Sequence, residues 1–305
     1  MNHESPDGRI TGSGSGFEER FWGALVHLSA LLLGMGMILP LIAWGSHRRK
    51  SKRIAFQSLQ ALGYQTIGYT VWFLVYLLVV IVLIVVYLPA LSNGMTSIQD
   101  IQSGNSPIAA AILLVFVAGF GLYMLPPLFG AVACGLGYDF RYPILGGRLA
   151  KFVGYAENEE LREEASDRFV AAAGHFAVII PIWGLIPPVY TWTAHAKRSA
   201  FAHFQAAQTT VYQVLANLQI VLAGVFYVGV AFTTFSILLD DSSEGPSMTV
   251  IVFLLVFLIL AALALLAIPC YHILGQWAGL RILRGHDFRY PLIGKLVEKR
   301  IWKAK

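Results

Sequence analysis

The sequence predicts an all-α integral membrane protein built from two parallel repeats. Two observations carry this. Runs such as YTVWFLVYLLVVIVLIVVYL (69–88) and TVIVFLLVFLILAALALLAI (249–268) hold no charged residue, and each is long enough for a helix to cross a hydrocarbon core of about 30 Å. The pentapeptide DFRYP occurs at 139–143 and again at 287–291, 148 residues later. The chain is only 13% charged, against roughly a quarter for a soluble domain.

The offset of 148 aligns far more than the pentapeptide. Residues 18–65 match 166–213 without a gap at 15 of 48 positions, including His27/His175, Trp44/Trp192, Ser51/Ser199, Gln57/Gln205, Gln60/Gln208, Tyr64/Tyr212 and Gln65/Gln213. Residues 137–148 match 285–296 at seven of twelve. Apolar composition alone does not align His, Gln, Trp and Arg. The expected organisation is a disordered cytoplasmic tail over 1–17, repeat one over 18–153, an acidic linker over 154–166 containing most of AENEELREEASD, and repeat two over 167–305.

In order, the tail MNHESPDGRITGSGSG is polar and lacks the apolar region of a signal peptide. Each repeat then opens on an interrupted apolar stretch (22–46; 169–194), followed by a basic segment (HRRKSKR, 47–53; HAKRSAFAH, 195–203). A long helix starts with a polar face (FQSLQALGYQ; FQAAQTTVYQ) and turns apolar. A polar loop, a second apolar helix, DFRYP and a short amphipathic helix complete the unit. The two cysteines, Cys134 and Cys270, lie in apolar segments and suggest no disulfide framework.

The interrupted stretch decides the topology. FWGALVHLSALLL spans about 19 Å as a helix, too short to cross, and GMG and Pro40 follow it. A single kinked crossing would invert the second repeat and expose a basic segment on the outside. A hairpin that returns to its own side keeps both repeats parallel and all 22 Lys and Arg on one face. The loops on the other face, 90–106 and 239–247, then hold only Asp100, Asp240, Asp241 and Glu244, so the net charge of +5 divides into −4 and +9. The positive-inside rule selects the hairpin, with both termini cytoplasmic in a cell inner membrane. Each repeat is then a broken-helix hairpin, two full transmembrane helices and a terminal interfacial helix.

GALVHLSALL (23–32), LPLIAWG (39–45), FQSLQALGYQ (56–65) and GYDFRYP (137–143), with more divergent counterparts in repeat two, resemble a Tic-twenty-like family. These are small bacterial membrane proteins grouped with the twenty-kilodalton component of the chloroplast inner-envelope import translocon. The resemblance implies a four-helix unit, counting the two short hairpin helices, and a role within a translocation or envelope complex. It supplies no catalytic residues, and a tandem unit departs from the usual single one.

Several polar groups invite a functional reading. His27 and His175 fall in the short first helices, where ionisable residues at membrane depth mark function by default. They could meet across a symmetry axis, or each could bond a glutamine or tyrosine of its own repeat. Gln57, Gln60 and Tyr64, and likewise Gln205, Gln208 and Tyr212, share one helical face. They could line a polar vestibule or bond backbone freed by the broken hairpin. Arg48, Arg49, Lys50, Lys52 and Arg53 read as a patch for anionic lipid headgroups, and nucleic acid is not an expected partner. In the pentapeptides, Arg141 and Arg289 suit lipid phosphates, and Tyr142 and Tyr290 suit the interfacial aromatic belt. Asp139 and Asp287 could pair with the nearby arginine, and Pro143 and Pro291 fit the start of a following helix.

The apolar spans contain no Asp, Glu, Lys or Arg, which disfavours an ion-coupled carrier. No dinucleotide fingerprint, P-loop, HExxH or GxSxG motif is present. The expectation is a non-enzymatic protein of structural or accessory role with no cofactor and no metal. The alternative is a transporter or channel with a polar path between the repeats.

Overall fold

A computed structural model describes residues 16–92, 107–155, 161–194, 199–239 and 245–303. The first fifteen residues of the expected tail, most of loop 90–106, residues 240–244, the linker centre 156–160 and basic residues 195–198 lie outside the described residues. Among the described residues every regular element is helical. Repeat one has α1 (Phe17–Leu28), a 3-10 stretch (Ser29–Met37), α2 (Ile38–His47), α3 (Lys52–Ser92), α4 (Pro107–Gly135) and α5 (Leu145–Val153). Repeat two has α6 (Glu163–Phe176), 3-10 turns at Ala177–Ile179 and Trp183–Leu185, α7 (Ile186–Ala194), α8 (Ala200–Leu238), α9 (Met248–Leu283) and α10 (Ile293–Lys303).

Among the described residues, five helical segments are long and apolar enough to cross a membrane: Phe17–His47, Lys52–Val79, Leu113–Gly135, Ala200–Leu238 and Met248–Leu283. Along the outer parts of α3, α4, α8 and α9, residues such as Leu78, Val85, Leu114, Phe232 and Leu266 are exposed. An apolar surface of that extent is matched to lipid, not water. The first segment combines α1 and α2, yet it doubles back. His47 Nε2 lies 3.0 Å from Glu18 Oε1, and the rings of Trp22 and His47 are 5.1 Å apart. A straight helix would separate those ends by about 44 Å. The reversal passes through Leu33, at φ 53°. In repeat two the reversal passes through Ile182, at φ 63°. There a Cβ on Gly184 would strike the carbonyl oxygen of Ala177, so this turn admits only glycine.

The matched residues explain the matched ends. Ser51 Oγ accepts from the backbone N–H of Ile54, and Ser199 Oγ from that of Ala202, both at 3.2 Å. These N-caps start α3 and α8, and each is worth about 1 kcal/mol. After α4 and α9, Gly137 (φ 95°) and Gly285 (φ 87°) take left-handed caps. The N–H of Tyr138 bonds Ala133 O and that of His286 bonds Arg281 O, at 2.9 and 3.0 Å. This closes both helices in the same Schellman pattern. Helix α4 continues through Pro126 and Pro127, and α9 through Pro269.

The chain divides into two compact units, Met1–Tyr64 with Pro89–Leu161, and Gln65–Leu88 with Arg162–Lys305. In the first, Val26, Ala43, Ile54 and Ala61 pack with Trp22. In the second, Val178, Tyr212, Ala216, Ala278 and Tyr290 form one cluster, and Ala171, Ala172, Phe176 and Ile282 another. The second unit also holds the outer half of α3. Thr70 Oγ1 donates to Gln276 Oε1 at 3.0 Å, and Phe73 meets the His272 ring edge-on at 4.7 Å.

Two expectations are corrected here. Tyr142 and Tyr290 are each only 2% exposed, so they belong to the core and not to an interfacial belt. Helix α5 buries Gly146, Leu149, Ala150 and Val153, and its outward residues are Gly147, Arg148 and Lys151. Its apolar stripe packs on protein rather than lipid. The sequence pattern of a docked amphipathic helix equals that of an in-plane one, because both need a single apolar face.

Candidate functional site

The closing loop DFRYP folds back onto the start of the long helix. Gln57 and Gln60, one turn apart on α3, are fully buried, as is His27 on α1. Gln57 Nε2 donates to Asp139 Oδ1 at 2.8 Å and to the carbonyl of Phe140 at 3.0 Å. Gln60 Nε2 donates to the same carbonyl at 2.9 Å, and Gln60 Oε1 accepts from the N–H of Tyr142 at 3.1 Å. Two side-chain amides thus satisfy loop backbone that would otherwise be buried unpaired.

These bonds assign the direction of the rest. A carboxylate and a carbonyl only accept, so the amide nitrogen of Gln57 must face them and its oxygen must face inward. That oxygen accepts from Gln60 Nε2 at 3.0 Å and lies 2.9 Å from His27 Nε2. Nε2 therefore carries the proton, Nδ1 is an acceptor, and Tyr142 Oη, 2.8 Å away, donates to it. Burial, reinforced by Tyr64, holds the Tyr142 phenol well above its ordinary range, so the donor is present at any physiological pH. The chain reads Tyr142–His27–Gln57–Asp139, each link made.

Tyr64 completes the clamp. Its ring stacks on Tyr142 at 4.3 Å and 13°, and its hydroxyl donates to the carbonyl of Tyr123 in α4 at 2.6 Å. Gly130 gives Phe140 its space, since a Cβ there would come within 2.8 Å of that ring. Gly146 does the same for Gln60, whose oxygen would lie 2.5 Å from an added Cβ.

Repeat two rebuilds the clamp with Tyr290, His175, Gln205 and Asp287. Tyr290 Oη to His175 Nδ1 is 2.8 Å, His175 Nε2 to Gln205 Oε1 3.2 Å and Gln205 Nε2 to Asp287 Oδ1 2.6 Å. Gln208 Nε2 bonds Gln205 Oε1 and the Phe288 carbonyl, and its oxygen accepts from the N–H of Tyr290. Tyr212 stacks on Tyr290 at 3.8 Å and donates to the Tyr271 carbonyl. One difference is Thr209, whose hydroxyl lies 2.9 Å from His175 Nε2 and offers a second acceptor. Its counterpart in repeat one is Ala61.

Each histidine thus has both ring nitrogens engaged by its own repeat. The backbone groups that Gln57, Gln60, Gln205 and Gln208 bond belong to the DFRYP loops and not to the broken hairpins, which they meet only through the two histidines. The hairpin is held by residues outside the candidate set: Gln213 Nε2 donates to the Gly174 carbonyl, and Asn217 Oδ1 accepts from the N–H of Ile182, both at 2.7 Å. Gln213 was visible as a matched position, but Asn217 replaces Tyr69 of repeat one and carried no signal.

At the rim, Arg141 lies 3.5 Å from Asp139 and over the ring of Tyr155. The Tyr155 hydroxyl donates to Asp139 Oδ1 at 3.1 Å, and burial together with that carboxylate raises its pKa. Arg289 is 3.5 Å from Asp287 but also bonds Glu298 of α10 at 2.6 Å. That bond raises the guanidinium pKa further. Pro143 and Pro291 stand ahead of sharp turns at Ile144 (φ 65°) and Leu292 (φ 65°), not in the first turn of α5 and α10. The basic patch divides. Arg48 lies over Trp44, Arg53 donates to the Tyr138 carbonyl at 2.6 Å, and Arg49, Lys50 and Lys52 are exposed. Among the described residues no three His, Cys, Asp or Glu side chains converge on a metal-binding geometry.

The fold and site define a helical membrane protein of two homologous units, each locked by a Tyr–His–Gln–Asp clamp whose tyrosine, histidine and glutamine are buried and whose aspartate lies at the exposed rim. Over residues 18–150 and again over 166–297, the chain matches the MamF/MmsF family, the magnetosome magnetite crystal formation protein family, and it belongs to that family. No curated protein and no solved structure matches the chain. The family match overturns the resemblance to the Tic-twenty-like family, and the translocation role implied by it loses its support. The motifs that carried that resemblance are largely the clamp residues, so they report how a helical unit packs rather than what it serves.

Proposed function

We propose that this protein is a non-catalytic component of a magnetosome membrane, acting in a structural or accessory capacity in magnetite crystal formation. Family membership over both repeats supports the setting. The observation that carries the structural reading is the clamp. The histidines, glutamines and tyrosines that could have formed an active or conducting site are engaged with each other and with loop backbone inside each repeat.

In this reading the repeats are parallel, each α1–α2 or α6–α7 hairpin enters the bilayer and returns, and α3, α4, α8 and α9 cross it. Both termini are cytoplasmic, with Arg49, Lys50 and Lys52 on anionic headgroups. Cysteines placed in loop 90–106 and near the C-terminus are expected to label from opposite sides; labelling from one side overturns the topology. Deletion of the gene in a magnetite-forming cell is expected to change crystal size or shape in electron micrographs while iron still enters the magnetosome. Unaltered crystals would sink the proposal. An iron flux through liposomes carrying the purified protein would replace it with the transporter reading.

A further inference from the structure

A groove of about 380 Å³ runs along the first unit, lined by α1 from Phe17 to Leu28 and by Gly135 of α4. Its length along the helix is about 16 Å. The lining is apolar except for Arg20, one turn from the start of α1. Phe17 is 83% exposed and Phe21 49%. Gly135 supplies depth, and the nearest atom to a Cβ there is 3.8 Å away on Ala24.

The second unit carries bulkier side chains at the Leu28 and Gly135 end of the equivalent space. Position 176 holds Phe where Leu28 stands, position 283 holds Leu where Gly135 stands, and Phe169 is buried where Phe21 is exposed. Phe176 and Leu283 belong to one packed cluster. Phe176 lies over Gly279, where an added Cβ would come within 2.6 Å of its ring. Repeat one has Ala131 at that position. One fold therefore has bulkier residues at this end of the groove in one copy and an open groove in the other.

We propose that the open groove of repeat one is a binding site for a single anionic phospholipid, its acyl chain lying along α1 and its phosphate meeting Arg20. The geometry fits that ligand by depth and by charge. The inference rests on the topology proposed above, in which the start of α1 lies at the cytoplasmic headgroup level and Leu28 deeper. The cation then sits where a phosphate sits, and the apolar floor where the chain runs. In repeat two Phe176 and Leu283 stand at the corresponding deep end and pack into one cluster.

The test is native mass spectrometry of the intact protein released from nanodiscs of mixed phosphatidylglycerol and phosphatidylcholine. One retained phosphatidylglycerol per chain is expected. The triple variant Leu28→Phe/Ala131→Gly/Gly135→Leu, which installs the residues of repeat two together with the glycine that makes room for the ring, is expected to lose it while melting as the parent does. Arg20→Gln is expected to keep a lipid but lose the preference for phosphatidylglycerol by several-fold, a result independent of any repacking. Undiminished retention in the folded triple variant overturns the proposal. So does loss of a chain dimer, rather than of a lipid, on filling the groove, because the occupant is then a second copy. Sidedness of labelling at Phe17→Cys reports the topology separately, so failure of that reading is distinguishable from failure of the lipid site.

Discussion

The two repeats are an internal experiment: the same fold in two surroundings. The clamp is rebuilt nearly atom for atom, with the tyrosine–histidine bond at 2.8 Å in both. The surfaces around it diverge. Met124 and Leu128 of α4 become His272 and Gln276 of α9, Leu28 becomes Phe176, and Gly135 becomes Leu283. What is retained is what folds the unit; what differs marks where each copy meets something different. Gln276, peculiar to repeat two, bonds Thr70 from the outer half of α3, while His272 Nδ1 is buried with no partner.

The largest effect that would test this equivalence comes from Gln57→Leu. It leaves the His27 N–H unpaired in the core, where an unpaired buried group costs about 1–3 kcal/mol, and it takes one donor each from Asp139 and the Phe140 carbonyl, which keep Tyr155 and Gln60. Gln205→Leu is expected to cost less, because Thr209 remains as an acceptor for His175. Thermal unfolding in detergent would show the order, and equal losses would remove the role assigned to Thr209.

Next is Gly146→Ala, which brings a Cβ to 2.5 Å from the oxygen of Gln60, compared with 3.3 Å from Gln208 for Gly294→Ala. A loss of about 1–3 kcal/mol is expected in repeat one, and a smaller loss in repeat two, where Arg289 Cβ at 3.1 Å is the nearest atom. Denaturant midpoints of the two variants would measure the difference. Tyr142→Phe and Tyr290→Phe keep the stacked ring and remove the donor to histidine. Each is expected to cost about 1–2 kcal/mol, and nuclear magnetic resonance of the imidazoles would register the lost bond even where stability barely moves. Smallest is Glu298→Gln, which removes an exposed partner of Arg289 and is expected to change stability by under about 1 kcal/mol. Repeat one has Ala150 at that position, so a large effect would show that the rims are not equivalent.

Much of the fold was legible. The span lengths follow from uncharged runs and the duplication from the single offset; Ser51, Ser199, Gly137 and Gly285 stood out as matched positions, and the structure shows them capping helices. The site was half legible. His27, Gln57, Gln60, Tyr64 and the DFRYP residues stood out as matched polar positions, but their partners did not. The interfacial reading of Tyr142 failed because an aromatic next to arginine looks the same whether it faces headgroups or turns inward. The family assignment failed for a related reason: short motifs of small helical membrane units reflect how the helices pack and do not by themselves single out a family.

By itself the sequence determined that the chain lives in a membrane, that it contains the same unit twice, and roughly where the long apolar helices run; it did not fix the first helices, which begin at Phe17 and at Glu163, inside the expected tail and linker. The properties it did determine depend on neighbours a few residues away, through hydropathy over one helix length. The distribution of charge already selected a returning hairpin, but only the tertiary structure decided that its return brings Glu18 against His47. It alone decided that DFRYP folds inward, and that Tyr142 reaches a histidine 115 residues away. Such partners are set by the rotational phase of α3 and by the return of the chain after α4, and neither is written in any local stretch.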